Sequence, residues 1–188
     1  MRVTTAQRTR PYPGFSASGD LVVVRQVAAR TMLAVVDVLG HGPEAAQVAA
    51  LAQEYLRSAD LDDGVEAWMQ GLHRALARTR GAAAGLGCTE AGSLQVTVVG
   101  NIEVRCTGTR VGVIATPGIV GRRMRRLRSA SFSMRSGDRL AMHSDGLRRV
   151  DLAGAHGLTL ERACDHLMHE FAVAIDDASL LLTDFHDA

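Results

Sequence analysis

The chain has 188 residues, 47% of them apolar and 22% charged, with a formal net charge of +1. Those proportions describe a soluble globular chain long enough to bury a core without staples, and the balanced charge gives no global pull toward nucleic acid or acidic membranes. No stretch reaches the roughly 18 uninterrupted apolar residues of a membrane span, and Cys88, Cys106 and Cys164 are odd in number and form no CxxC pair, which speaks against a disulfide framework or a zinc knuckle.

The length is that of one domain over residues 1–188. The opening stretch, MRVTTAQRTRPYPGF, is basic without a following apolar h-region, so it does not read as a secretory signal, and a cytoplasmic location is expected. The polar, proline-broken residues before Pro13 read as a lead-in with little structure of its own. The first strong signal begins at Gly19-Asp20. LVVVRQV over 21–27 and TMLAVV over 31–36 are β-branched-rich runs separated by Ala28-Ala29-Arg30, short enough for a hairpin. In an antiparallel hairpin centred between residues 28 and 29, Asp20 before the first strand lies beside Asp37 after the second. Two carboxylates then share one sheet edge.

Beyond Gly40-His41-Gly42, Pro43 suits a first helical position and Glu44 a first turn, where the helix dipole favours negative charge. Val48, Leu51, Ala52, Tyr55 and Leu56 recur at helical spacing. Asp62 or Asp63 can cap a second helix whose apolar stripe is Val65, Trp68, Met69, Leu72 and Leu76. From residue 82 to 115 the pattern turns to β, with LQVTVV, IEVRC and VGVIA punctuated by glycines, and reads as an antiparallel meander. Residues 121–134 mix arginine with apolar residues. Residues 139–143 form another apolar run that ends at Ser144-Asp145-Gly146. A third helical stripe follows (Leu160, Ala163, Cys164, Leu167, Met168, Phe171), and after Asp176-Asp177 comes the closing strand ASLLLTDF. If the strands flanking that helix are antiparallel, Asp145 leaves one and Asp176 enters the other at the same end.

Asp20, Asp37, Asp145 and Asp176 or Asp177 thus each border an apolar strand. Converging carboxylates repel unless a cation sits among them, and short oxygen ligands with no Cys or His pattern suit Mg²⁺ or Mn²⁺. The bland alternative is that Asp is common in turns and caps.

VVDVLGHGPEAA, VGNIEV, MHSDGL and the terminal DDASLLL together resemble the PP2C-type metal-dependent serine/threonine phosphatases, in the SpoIIE-like bacterial branch and nearest the RsbX-type phosphatases of stress-response partner switching. The resemblance spans nearly the whole chain and implies an αββα sandwich, two mainly antiparallel sheets flanked by helix pairs, with two Mn²⁺ or Mg²⁺ ions at one end. Carried over, Asp37 bridges both ions and the Val38 carbonyl ligates one; Asp20 serves the second ion, Asp145 and Asp176 the first, and Asp177 is the less certain member. Asp37 and Asp145 then carry the catalysis. The implied reaction is hydrolysis of phosphoserine or phosphothreonine by a metal-bridging water, on a regulatory protein of the STAS-domain or stressosome type. Leu39 stands where larger PP2C enzymes carry a His two residues after the bridging Asp, so leaving-group protonation is unassigned, and the insertion those enzymes carry over the site is missing.

Rival readings exist for several motifs. Gly40-x-Gly42-x-x-Ala45 matches the dinucleotide fingerprint, which needs a parallel strand directly after the helix. Arg122, Arg123, Arg125, Arg126 and Arg128 form the sharpest charge cluster, either an edge guard or a surface for phosphoprotein docking. The few aromatic residues disfavour nucleic acid. His166 and His169 read as a solvent-facing pair, and His143 as packed beside Asp145. The alternative in a different class is a non-catalytic PP2C-like binding module in a partner-switching complex, against which the retained aspartates argue.

Overall fold

Two antiparallel sheets lie face to face in the computed structural model, which describes residues 1–187. In chain order the strands are β1 Arg2–Arg10, β2 Asp20–Val27, β3 Arg30–Val38, β4 Ala82–Glu90, β5 Ser93–Val99, β6 Glu103–Cys106, β7 Gly118–Ile119, β8 Arg123–Met124, β9 Ser129–Ser133, β10 Arg139–His143 and β11 Ala178–His186. The helices are α1 Pro43–Ser58, α2 Gly64–Ala75 and α3 Leu160–Phe171, with a short 3₁₀ turn at Ala153–Ala155. One sheet has the order β1-β11-β10-β6 and the other β2-β3-β4-β5-β9, with β7 and β8 forming a small separate hairpin.

Side-chain parity sorts the core into three layers. On β3, Met32, Ala34, Val36 and Val38 face α1 and α2, whereas Leu33 and Val35 point between the sheets. On β11, Leu180 and Leu182 face α3 while Leu181 and Phe185 meet the inter-sheet layer. Strands buried on both faces have no polar side to alternate with, which is why these two read as continuous apolar runs. Helix α1 starts at Pro43 and buries Ala45, Val48, Ala49, Ala52 and Leu56, leaving Leu51 exposed at the margin of the expected stripe. Helix α2 buries Val65, Trp68, Met69 and Leu72. Full burial of such large apolar side chains contributes about 1.5–3 kcal/mol each. Asp63 occupies the α2 cap position without a side-chain bond to the helix, and Asp62 pairs with Arg30 instead.

The αββα layering follows expectation, with a helix pair outside one sheet and α3 with the 3₁₀ turn outside the other. Two local readings are corrected. The supposed lead-in is β1, paired along its whole length with β11 from Arg2↔His186 to Arg10↔Ala178. An edge strand exposing every second residue carries no apolar run, so its pairing comes from the partner and not from its own pattern. The meander breaks after β5: β6 crosses to the other sheet and pairs β10, β5 takes β9 as its neighbour, and VGVIA forms no strand. The dinucleotide reading falls as well, because β3 is followed by two helices and pairs β4 antiparallel.

Candidate metal centre

The Ala28-Ala29 turn, with Ala28 at φ 52°, sets the hairpin register, and Asp20 pairs directly with Asp37. Both residues have the parity of the inter-sheet layer, and they sit where that layer opens at one end of the sandwich. In the facing sheet, β10 and β11 run antiparallel with His143↔Leu180. The turn after β10 and the entry to β11 therefore bring Asp145 and Asp176-Asp177 to the same end. Gly146 makes this possible: a Cβ there would lie 1.9 Å from the Asp177 carbonyl oxygen.

The carboxylates differ in their partners. Asp177 is buried and both its oxygens are engaged, Oδ1 by the Tyr12 N–H (2.7 Å) and Oδ2 by the Gly19 N–H (3.0 Å). Gly19 is wedged between α1, Gly40 and this carboxylate, where a Cβ would stand 2.9 Å from that of Ala45. Asp20 is 4% exposed and accepts from Ser144 Oγ at 2.5 Å, and that hydroxyl in turn accepts the Ser179 N–H. Asp145 is exposed and accepts from the Asn101 amide at 2.7 Å. Asp176 is half-buried and accepts the Asp177 N–H. Val38 closes β3 beside Asp37 and donates its N–H to the Gly19 carbonyl.

Electrostatics marks Asp37 as the focus. Burial, then the charges of Asp20, Asp145 and Asp176, push its carboxyl up to about 9. Burial pushes Asp20 up to about 7 against the Ser144 and Ser179 hydrogen bonds, with Asp177 and Asp176 adding to the rise. Asp176 is raised by burial and by Asp145, while the Asp177 N–H and His41 oppose the shift. Among the described residues no Lys, Arg or His forms an ion pair with any of these aspartates. Nor do three or more His, Cys, Asp or Glu side chains among those residues come together, as placed, into a group that would hold a metal ion by itself. The donor set still fits hard divalent cations. It is all oxygen, no cationic side chain among the described residues compensates it, and Mg²⁺ characteristically takes only one or two carboxylates while keeping several waters.

Several contributors to this end left no signal in the sequence. Ser144 and Asn101 hold Asp20 and Asp145 from turns that mark themselves only as turns, and Ser179 in β11 supports Ser144 through its N–H. His41 is stacked on Tyr12 with ring centroids 4.1 Å apart and lies 5.3 Å from Phe15, so the segment before β2 packs on the glycine turn after β3. His166 is half-buried and His169 exposed on α3; His143 is buried and bonds the Ser144 carbonyl through Nδ1.

The family model described as Stage II sporulation protein E matches residues 28–186. The chain belongs to the SpoIIE family. Among solved structures, a chain from work on the bacterial stressosome, a modular system adapted to control secondary messenger signalling, is 33% identical, with 97% of this chain and 100% of that one covered and a TM-score of 0.90. RsbX in complex with magnesium superposes with a TM-score of 0.78 at 18% identity, covering 97% of this chain and 94% of that one. The PP2C phosphatase domain of SpoIIE from Bacillus subtilis gives 0.74 at 19% identity, covering 98% of this chain and 64% of that one. The SpoIIE-family chain therefore has the PP2C-type phosphatase fold. No curated protein matches it in sequence. Among the described residues no helix is long and apolar enough to cross a membrane.

Proposed function

We propose that this SpoIIE-family chain is a metal-dependent protein serine/threonine phosphatase acting on a phosphorylated regulatory protein of the STAS-domain or stressosome type. The observation that carries the reading is the uncompensated carboxylate set at one end of the inter-sheet layer, delivered by two hairpin strands and by the ends of β10 and β11. In this reading Asp37 and the Val38 carbonyl serve two Mn²⁺ or Mg²⁺ ions, Asp145 and Asp176 complete one site and Asp20 the other. Asp176 is preferred over Asp177 because both Asp177 oxygens already accept backbone amides. When bound, the ions would supply water activation near neutral pH and neutralise charge on the phosphoryl oxygens.

The protein's own groups do the positioning. Ser144 and Asn101 hold Asp20 and Asp145 by one oxygen each. The Asp177 latch pins residues 12–19 against the end of the sandwich and so fixes where β2 begins. The 33% identity to the stressosome-related chain supports a partner-switching role, and the RsbX likeness in complex with magnesium supports the choice of cation.

The test is phosphate release from a phosphoserine peptide and from a phosphorylated STAS-domain protein. Release that requires Mn²⁺ or Mg²⁺ and stops with chelator is expected. A fully folded protein that releases no phosphate with either ion would leave the binding-module alternative standing.

A further inference from the structure

We infer that the arginine segment over residues 121–128 is a docking surface beside the carboxylate opening, built to hold an acidic stretch flanking the phosphorylated residue of a protein substrate. The inference rests on the phosphatase reading and adds the specificity that the carboxylate site cannot supply, since bound cations recognise a phosphoryl group but not its surroundings.

Location is the first argument. The Leu39 N–H, two residues past Asp37, donates to the Gly81 carbonyl, and Ala82 exchanges two hydrogen bonds with Val120 (3.0 and 2.8 Å). The hairpin of β7 and β8 is therefore tied to the same end of β3 and β4 that presents Asp37. Arg80 donates to the Leu39 carbonyl, and the Arg122 side chain crosses beside Gly81 to reach the Thr79 carbonyl.

Anchoring is the second. Met124 and Leu127 pack onto the core under α1 and α2, and the Gly121 N–H donates to His73 Nδ1 at 3.0 Å, so the backbone is held in place. Arg122, Arg123, Arg125, Arg126 and Arg128 remain exposed, and among the described residues none is in a salt bridge. Five exposed guanidinium groups on a pinned segment repel one another unless an anionic partner arrives. An edge guard would sit on the open strand itself, yet β9, the edge of its sheet, carries Ser129, Ser131 and Ser133 and no arginine.

The rest of the rim fits a protein partner. Leu39, two residues past Asp37, is 41% exposed and Ile175, next to Asp176, is 72% exposed, which gives the rim apolar contacts as well as charge. A nucleic acid would carry its continuous charge across those carboxylates, whereas an acidic peptide can place its own charge on the arginines alone.

The experiment compares kcat/KM with Mn²⁺ for three substrates: a phosphoserine peptide with acidic flanks, the same peptide with its Asp and Glu replaced by Asn and Gln, and an aryl phosphate. Wild-type protein should favour the acidic peptide by about tenfold at low salt, mainly through KM, and lose that preference at high salt. The R123S/R125S/R126S variant, checked for an unchanged melting temperature, should treat the two peptides within about twofold while hydrolysing the aryl phosphate at the wild-type rate. Equal kcat/KM for the two peptides in wild type overturns the inference alone, as does an equal loss on all three substrates in the variant. So does competition by a DNA oligonucleotide that vanishes in the variant without any change in peptide preference. Absence of metal-dependent hydrolysis of all three overturns the phosphatase reading and this inference with it.

Discussion

Strands β10 and β11 carry charge at both ends, and the two ends are built on opposite rules. At one end Arg139 and Asp184, partners in register, form a two-pronged ion pair with both contacts at 2.7 Å, and the guanidinium also donates to the Ala155 and Leu158 carbonyls. Both Asp184 oxygens and the whole Arg139 guanidinium have their complements. At the other end Asp145 and Asp176 meet Asp20 and Asp37, and among the described residues no cationic side chain pairs with them. The saturated end ties the 3₁₀ turn and the loop after it onto the sheet. At the unsaturated end burial and mutual repulsion oppose ionisation, and no cationic side chain among the described residues relieves it. Paired and unpaired charges thus share one strand pair and are told apart by whether their partners lie within the chain.

The largest expected effect breaks the open end. Asp37→Asn should lower metal-dependent phosphate release by about a thousandfold or more, since several kcal/mol of transition-state stabilisation depend on the ions. It should melt no lower than wild type in chelator, because the buried group whose ionisation its neighbours oppose is gone. Comparable turnover with Mn²⁺ in both proteins would refute the assignment of Asp37. The next effect breaks the closed end. Arg139→Ala leaves Asp184 and two carbonyls without their donors and should cost about 3 kcal/mol, read as a melting temperature lowered by roughly 6–12 °C, with kcat on an aryl phosphate retained at low temperature.

The smallest effect sharpens the contrast through pH. Folding raises the Asp20 and Asp37 carboxyls from 3.8 to about 7 and about 9, so between those values the folded metal-free chain holds protons that the unfolded chain has released. Their stabilising contribution is complete below about pH 4 and is lost as pH rises through 7 and 9. Metal-free protein should therefore melt lower at pH 9 than at pH 5, and saturating Mn²⁺ or the Asp37→Asn change should flatten that slope. An equally steep slope in the variant would place the titration elsewhere.

The Asp20–Asp37 pairing was legible because a two-residue turn leaves one register, and register alone puts those positions side by side. The common end of Asp145 and Asp176 was legible for a similar reason, given two strands joined through a helix. Strand β1 was not, since its polar alternation is that of any exposed edge, and only the length of β11 beside it makes it a strand. The crossing of β6 was hidden because a four-residue strand carries too little pattern to say which sheet it joins. The two aspartates at 176 and 177 are neighbours with the same chemistry, and nothing local separates the one turned to Tyr12 and Gly19 from the one left beside Asp145.

Local pattern by itself determined the hairpin, the paired helices, the apolar runs of β3 and β11 and the strand-end positions of the aspartates, because periodicity and turn length act over a few residues. Tertiary structure alone decided which carboxylates stay uncompensated, which serine holds Asp20, and that the arginines of residues 121–128 stand beside the opening. Those relations join segments such as Ser144 and Asp20, 124 residues apart, and the energy that selects them is burial and hydrogen bonding between surfaces that exist only after the sheets have stacked.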